Sequence, residues 1–240
     1  MTDTTDQNPF QVLWTEKYRP AHLQDLALEA ETLAVLKAYV AAKEVPHLLL
    51  LGPPGSGKTT VARILYRALD ASVMTLNASS ERGIETVRDK IGAFVTGMTG
   101  NRWNIVFLDE ADAMTSDAQT ALRNLIEAYA ERSRFILTAN YGHRIIGAIQ
   151  SRCQVLTLGH PPLKERFRIL ASVLKAEKIT ADPKTMLGYA EKFPDMRRML
   201  WGAQRAYLGN GGEALPPVIA GEMTTGAELF EFVANKNWTG

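Results

Sequence analysis

The run Leu48-Leu-Leu-Leu-Gly-Pro-Pro-Gly-Ser-Gly-Lys-Thr-Thr60 leaves few folds open to this chain. Four consecutive leucines read as a strand buried on both faces. Residues 52–59 then fit the phosphate-loop pattern G-x-x-x-x-G-K-[ST] at every fixed position. Gly52, Gly55 and Gly57 admit backbone conformations that a side chain forbids, so successive amide N–H groups can turn inward around an anion. Lys58 supplies a point charge for β- and γ-phosphates, and the Thr59 hydroxyl is placed for Mg²⁺. The helix expected over 58–69 aims the positive end of its dipole at the same phosphates. The implied ligand is a nucleoside triphosphate, held by Gly52, Pro53, Pro54, Gly55, Ser56, Gly57, Lys58, Thr59 and Thr60. The alternative is a Gly/Pro turn that only imitates the motif, and the strand–loop–helix order weighs against it.

A chain of 240 residues with 46% hydrophobic content can bury one large domain and a smaller one. Its formal net charge is +1, so any nucleic-acid contact has to come from a local patch. The single cysteine, Cys153, excludes an internal disulfide and fits a reducing cytoplasm. No apolar run approaches the ~18 residues of a membrane span, and the start of the chain lacks the apolar core of a signal peptide. Residues 1–13 are expected to be disordered, 14–20 to form a short extended strap packed over the core by Trp14 and Tyr18, 84–95 to form a helix, and 226–235 to begin one more.

An acidic partner for the phosphate loop lies further on. Ile105-Val-Phe-Leu108 reads as a second buried strand and ends on Asp109 and Glu110. An Asp there can hold Mg²⁺ through water, and the adjacent Glu can orient a water for attack on the γ-phosphate. Two acids after a strand can also simply cap a helix. Phe135-Ile-Leu137 reads as a third strand ending on Thr138-Ala-Asn140. In a parallel sheet ligands sit beyond the strands' carboxyl ends, so Asn140 would share a rim with Asp109 and Glu110. A loop-capping Asn is the competing reading. Helices and strands alternate throughout, which predicts an α/β fold with a parallel sheet flanked by helices. Helical patterns over 163–177, 183–193 and 195–208 predict a small all-helical lid domain.

Seven short motifs then occur in order: Glu16-Lys-Tyr-Arg-Pro20, the phosphate loop, Leu76-Asn-Ala-Ser79 with Glu81-Arg-Gly-Ile84, Asp109-Glu-Ala-Asp112, Thr138-Ala-Asn140, Ser151-Arg-Cys153 and Pro194-Asp-Met-Arg197. Together they resemble the AAA+ P-loop ATPase subunits of sliding-clamp loaders, the replication factor C small subunit and its phage counterpart. The resemblance implies that Tyr18, Arg19 and Pro20 lie near the adenine. It makes Asn140 the sensor of the γ-phosphate, Arg152 an arginine finger reaching a neighbouring subunit's ATP, and Arg197 a second sensor from the lid. It places Arg82 against the backbone of primer-template DNA. Without the family pattern, Arg152 and Arg197 read equally as exposed surface arginines. Ser80 stands where the family usually has Asp, and Asp195 where it commonly has Gly.

The expected organisation is a 14–162 ATPase domain, a 163–208 lid, and a 209–240 linker that begins a truncated or absent collar. The expected activity is ATP hydrolysis by a clamp-loader subunit, with Glu110, Lys58, Asn140, Arg152 and Arg197 in catalysis and Thr59 and Asp109 on the metal. Its partners would be other loader subunits in a ring, of which a pentamer is one form, the sliding clamp and primer-template DNA. Location would be cytoplasmic, in the host cytoplasm if phage-encoded. The residues leave open an ATP-binding subunit used for assembly only, and another DNA-associated AAA+ ATPase or helicase.

Overall fold

The computed structural model describes residues 13–69, 71–97 and 100–218. These form two compact units, 21–159 and, joined across the chain, 13–20 with 160–218. The expected disorder of residues 1–12 and the helix start beyond 218 lie outside the described residues.

The larger unit is built on five parallel strands in the order β2-β3-β4-β1-β5. They are β1 (Leu48–Leu51), β2 (Ala71–Asn77), β3 (Trp103–Asp109), β4 (Ser133–Ala139) and β5 (Gln154–Thr157). The apolar runs of β1, β3 and β4 are covered on both faces, as their composition requires. Successive leucines face opposite ways: Leu49 joins Val106, Leu108, Phe135 and Leu137 on one side, while Leu48 and Leu50 join Ile105, Phe107 and Ile136 on the other. The second face is covered by Leu36 of helix α2 (Ala30–Ala42) and by Val61, Ala62, Ile64 and Leu65 of α3 (Lys58–Ala68). The first is covered by Leu122 and Ile126 of α5 (Ser116–Ala128) and by Val87, Ile91 and Val95.

Those last three lie in a segment expected as one regular helix. The structure instead gives a π-helical stretch over Thr86–Ile91 that runs into α4 (Gly92–Thr96). β2 is an edge strand, and this explains why its alternating residues are mostly half exposed. Helix α6 (Gly147–Gln150) precedes β5.

The smaller unit contains α1 (Trp14–Lys17), α7 (Leu163–Ala176), α8 (Pro183–Lys192) and α9 (Met196–Gly209). Two aspartates start its helices. Asp182 accepts from Thr185 N–H (2.9 Å) ahead of Pro183, and Asp195 accepts from the N–H groups of Arg197 (2.7 Å) and Arg198 (3.1 Å). A cap therefore accounts for Asp195 where glycine is common in the resembled family.

The Trp14 segment departs from expectation twice. Read as an extended strap on the ATPase domain, it forms a helical turn closed by Glu16 and Lys17 N–H bonds to the Leu13 carbonyl. It also packs in the helical unit: Trp14 is buried among Leu170, Met199 and Ala203, and its N–H donates to Gln204 Oε1 (3.0 Å). The turn ends before Pro20 because a residue preceding proline is driven out of helical geometry.

His47, just before β1, is held neutral. Burial, and then the positive charge of Arg134, push its imidazole down from 6.5 to about 4. Its Nδ1 accepts the Phe135 N–H (3.2 Å), which a protonated ring cannot do. The unfolded chain therefore binds a proton that the folded chain refuses between pH 6.5 and about 4. Stability should fall as pH drops through that window, by about 1–2 kcal/mol between pH 7 and pH 5 from this residue. Urea unfolding of wild type and His47→Asn, which keeps an acceptor but does not titrate, should show this slope in the wild type alone.

Candidate functional site

Strand register assembles the site. Leu51 pairs with Ala139, so Gly52 and Asn140 leave the sheet at one level. Leu108 pairs with Leu137, which brings Asp109 beside Thr138. Residues from three distant parts of the sequence thus share the carboxyl-end rim, where β1 has β4 on one side and β5 on the other.

The loop between β1 and α3 carries positive φ at Gly52 (152°), Gly55 (73°) and Gly57 (92°). At Gly52 a Cβ would collide with the Leu158 carbonyl oxygen, so only glycine fits the turn. The first bond of α3 runs from Val61 N–H to the Gly57 carbonyl (2.8 Å), and the helix points its positive end at the loop. Lys58 is only 8% exposed, and its ammonium donates to Gly52 O (2.7 Å), Pro53 O (2.8 Å) and Asn140 Oδ1 (2.9 Å). Because an ammonium only donates, the Asn140 oxygen must face it, which turns the amide NH₂ away as a donor. Ser56 Oγ is buried in the same loop and has no partner among the described residues. An inward-facing ammonium, an unsatisfied hydroxyl and a helix start fit an anionic phosphate chain.

Beside the loop, Thr59 Oγ1 lies 3.1 Å from both oxygens of Asp109. Thr138 Oγ1 donates to Asp109 Oδ1 (2.5 Å) and accepts the Glu110 N–H (3.0 Å). Glu110 is exposed and sits in the left-handed region (φ 58°, ψ 42°), which costs a non-glycine residue about 1–2 kcal/mol. The other non-glycine residues with positive φ among the described residues, Lys43 and Lys178, follow helix ends, where this conformation is usual.

Thus Lys58, Thr59, Asp109, Glu110 and Asn140 are brought together. Arg152, after α6, bonds the Ala148 carbonyl (2.7 Å) and pairs with Glu127 of α5. The neighbouring Cys153 thiol is pushed up to about 12 by burial and packs as an apolar group. Arg82 is exposed in the bend after β2, where its carbonyl accepts the Thr115 N–H (3.2 Å). Tyr18, Arg19, Pro20 and Arg197 belong to the helical unit. There the Tyr18 hydroxyl donates to Glu177 (2.5 Å), Arg19 pairs with Glu16, and Arg197 lies over the Trp201 ring (5.9 Å).

Sequence reasoning missed three organising residues. In the sequence Thr138 reads only as a strand end, and Asp112 only as part of a tetrapeptide. Gln119, on the buried face of α5, donates to the carbonyls of Met114 (3.3 Å) and Arg144 (2.9 Å) and accepts from Ile146 N–H (2.8 Å). A polar residue within an apolar helix stripe was the available signal for Gln119.

Thr138 serves two rim residues through one hydroxyl, so the near-isosteric Thr138→Val should leave both short of a partner. A loss of about 1–3 kcal/mol in urea unfolding is expected, with Thr138→Ser recovering most of it.

Residues 48–158 match the ATPase family associated with various cellular activities, AAA. The replication factor C small subunit of Natronomonas pharaonis is 42% identical over 208 residues, covering 83% of this chain and 63% of that protein. That of Methanosarcina barkeri is 43% identical over 205 residues, covering 81% and 61%. The chain therefore spans about three fifths of the length of these relatives. Among solved structures, the Thermotoga maritima RuvB Holliday junction branch migration motor shares the fold, with a TM-score of 0.66 at 16% identity over 90% of this chain and 71% of that one. No helix among the described residues is long and apolar enough to cross a membrane. The chain carries an AAA domain on a P-loop, nucleotide-binding fold, and over most of its own length it is similar to replication factor C small subunits.

Proposed function

We propose that this chain is an ATP-hydrolysing subunit of a sliding-clamp loader, using ATP binding and turnover to place a polymerase clamp on primer-template DNA. The observation that carries the reading is the convergence of Lys58, Thr59, Asp109, Glu110 and Asn140 on one rim, in a chain more than 40% identical to replication factor C small subunits. Its partners are other loader subunits in a ring, the clamp and DNA, and it works in the cytoplasm, the host's if a phage encodes it.

Each residue has a distinct task. Lys58 exchanges its loop carbonyls for phosphate oxygens, and the outward NH₂ of Asn140 donates to the γ-phosphate. Glu110 orients the attacking water and draws on its proton. Thr59 and Asp109 would hold Mg²⁺, which when bound neutralises charge on the phosphate oxygens. Among the described residues no group of three or more His, Cys, Asp or Glu could form an all-protein metal cage, and a cation sharing its shell with phosphates and water needs none. Arg197 acts as a second sensor, and Tyr18, Arg19 and Pro20 lie on the nucleotide side. Arg82 meets the DNA backbone, and Arg152 reaches a neighbour's ATP.

Binding and turnover should separate by residue. Lys58→Ala should weaken ATP binding, whereas Glu110→Gln should keep ATP and lose turnover by about 10²-fold or more. Measured by titration with labelled ATP and phosphate release in the assembled complex, equal loss of binding in both would sink the assignment. Retained turnover in Glu110→Gln would overturn the catalytic role of Glu110, and no measurable turnover in the wild-type assembly would favour a subunit that binds ATP for assembly only.

The finger is tested through the assembly. Arg152→Ala should leave ATP binding by the chain alone unchanged, yet cut turnover in the ring by up to ~10³-fold. Mixing Arg152→Ala and Lys58→Ala chains should retain some activity, because some interfaces then keep an intact site. If Arg152→Ala abolishes hydrolysis by the chain at high dilution, the finger acts within its own subunit.

A further inference from the structure

We propose that Asp112 is a positioning residue for Asn140, fixing through the backbone the side chain that reads the γ-phosphate; this rests on the γ-phosphate reading of Asn140. Asp112 lies in the single 3₁₀ turn, Ala111–Ala113, that follows Glu110. Its Oδ2 accepts two consecutive amides, from Asn140 (3.2 Å) and Tyr141 (3.1 Å). These are the first two amides beyond β4, which ends at Ala139.

At that point the sheet stops guiding the chain. The last β1–β4 pair is Leu51 with Ala139, and Gly52 takes the Ala139 carbonyl (3.3 Å) before turning into the phosphate loop. Asp112 supplies the acceptor that the ladder no longer offers. An ionised oxygen receiving N–H groups forms charge-assisted bonds, roughly twice as strong as neutral ones. Anchoring both amides fixes where the Asn140 Cα–Cβ bond points, and the bond from Lys58 to Asn140 Oδ1 then sets the amide's rotation. The side chain is thus aimed from two sides, by Asp112 on its backbone and Lys58 on its oxygen. Tyr141, by contrast, is half exposed and stands between His143 (5.8 Å) and Arg144 (4.8 Å), so it has no comparable hold on the rim.

A residue that aims a γ-phosphate sensor should alter the preference for triphosphate over diphosphate, which a merely structural role would leave alone. The test is calorimetric titration of the full chain with the slowly hydrolysed analogue ATPγS and with ADP. Asp112→Ala should lower the triphosphate preference about tenfold, as Asn140→Ala does, with ADP affinity held within about twofold. Asp112→Asn still offers an uncharged oxygen at the same reach and should keep most of the preference. The Asp112→Ala/Asn140→Ala double variant should be no lower than Asn140→Ala alone. If Asp112→Ala binds with wild-type preference while Asn140→Ala has lost it, the proposal fails and the reading of Asn140 stands. Wild-type preference in Asn140→Ala overturns both. Should Asp112→Ala not fold, Asp112→Glu keeps the charge but displaces it by one methylene; a lowered preference supports the proposal, and an unchanged one overturns it.

Discussion

The buried ammonium of Lys58 is the interaction on which the site depends. An unpaired charge removed from water is destabilising by several kcal/mol, so a lysine this deeply buried must have its donors met. Two of its acceptors are carbonyls of its own loop and another is the Asn140 side chain. Turning those carbonyls inward demands the positive φ of Gly52 and the close approach to Leu158 that excludes any side chain there. One charge therefore dictates the shape of the loop, the identity of its first glycine and the orientation of a side chain 82 residues away. Phosphate oxygens are stronger acceptors than amide carbonyls for the same group. The loop carbonyls that satisfy Lys58 are consequently acceptors from which a nucleotide can draw it.

The sheet supplies what a loop cannot, a fixed distance between loop and acids. Parallel strands with crossover helices deliver every carboxyl end to one edge, and the 2-3-4-1-5 order puts β4 directly beside β1. Apolar residues on both faces make register strict, because a slip of one residue would exchange the two core clusters along each strand. Core packing at Leu49, Phe107 and Ile136 thereby determines the level at which Asp109 and Asn140 emerge. A core substitution that shifted register would damage the site without touching it.

Much of this was readable from the residues because the signals are local. Continuous apolar runs announced β1, β3 and β4, and the phosphate loop and Asp109–Glu110 are contiguous motifs. What escaped depends on partners far apart in sequence. Trp14 reads as a strap because nothing near it reveals the helical unit it enters, whose Gln204 lies 190 positions away. Thr138 and Asp112 acquire their roles only through bonds spanning 28 or 29 residues, which register creates and periodicity does not display. The π-helical stretch at Thr86–Ile91 carries the apolar spacing of an ordinary helix, and composition does not separate the two. Arg152 and Arg197 have no local signal beyond their charge, and the resemblance alone singled them out.

Glu110 shows how rigidity and exposure are divided on the rim. Asp109 is held by two hydroxyls and Asn140 by Lys58 and Asp112, whereas the Glu110 carboxylate stands in solvent on a backbone in the left-handed region. Such a conformation persists only where its surroundings enforce it. Here Thr138 receives the Glu110 amide, and the following turn closes with Ala113 N–H on the Glu110 carbonyl (2.9 Å). Both backbone polar groups of Glu110 are therefore engaged, and the side chain alone keeps its freedom. In the proposed role, a carboxylate that orients a water gains from this division, since its origin is fixed while its tip remains hydrated. The strain is carried by the backbone, while the side chain stays free for the role proposed for it.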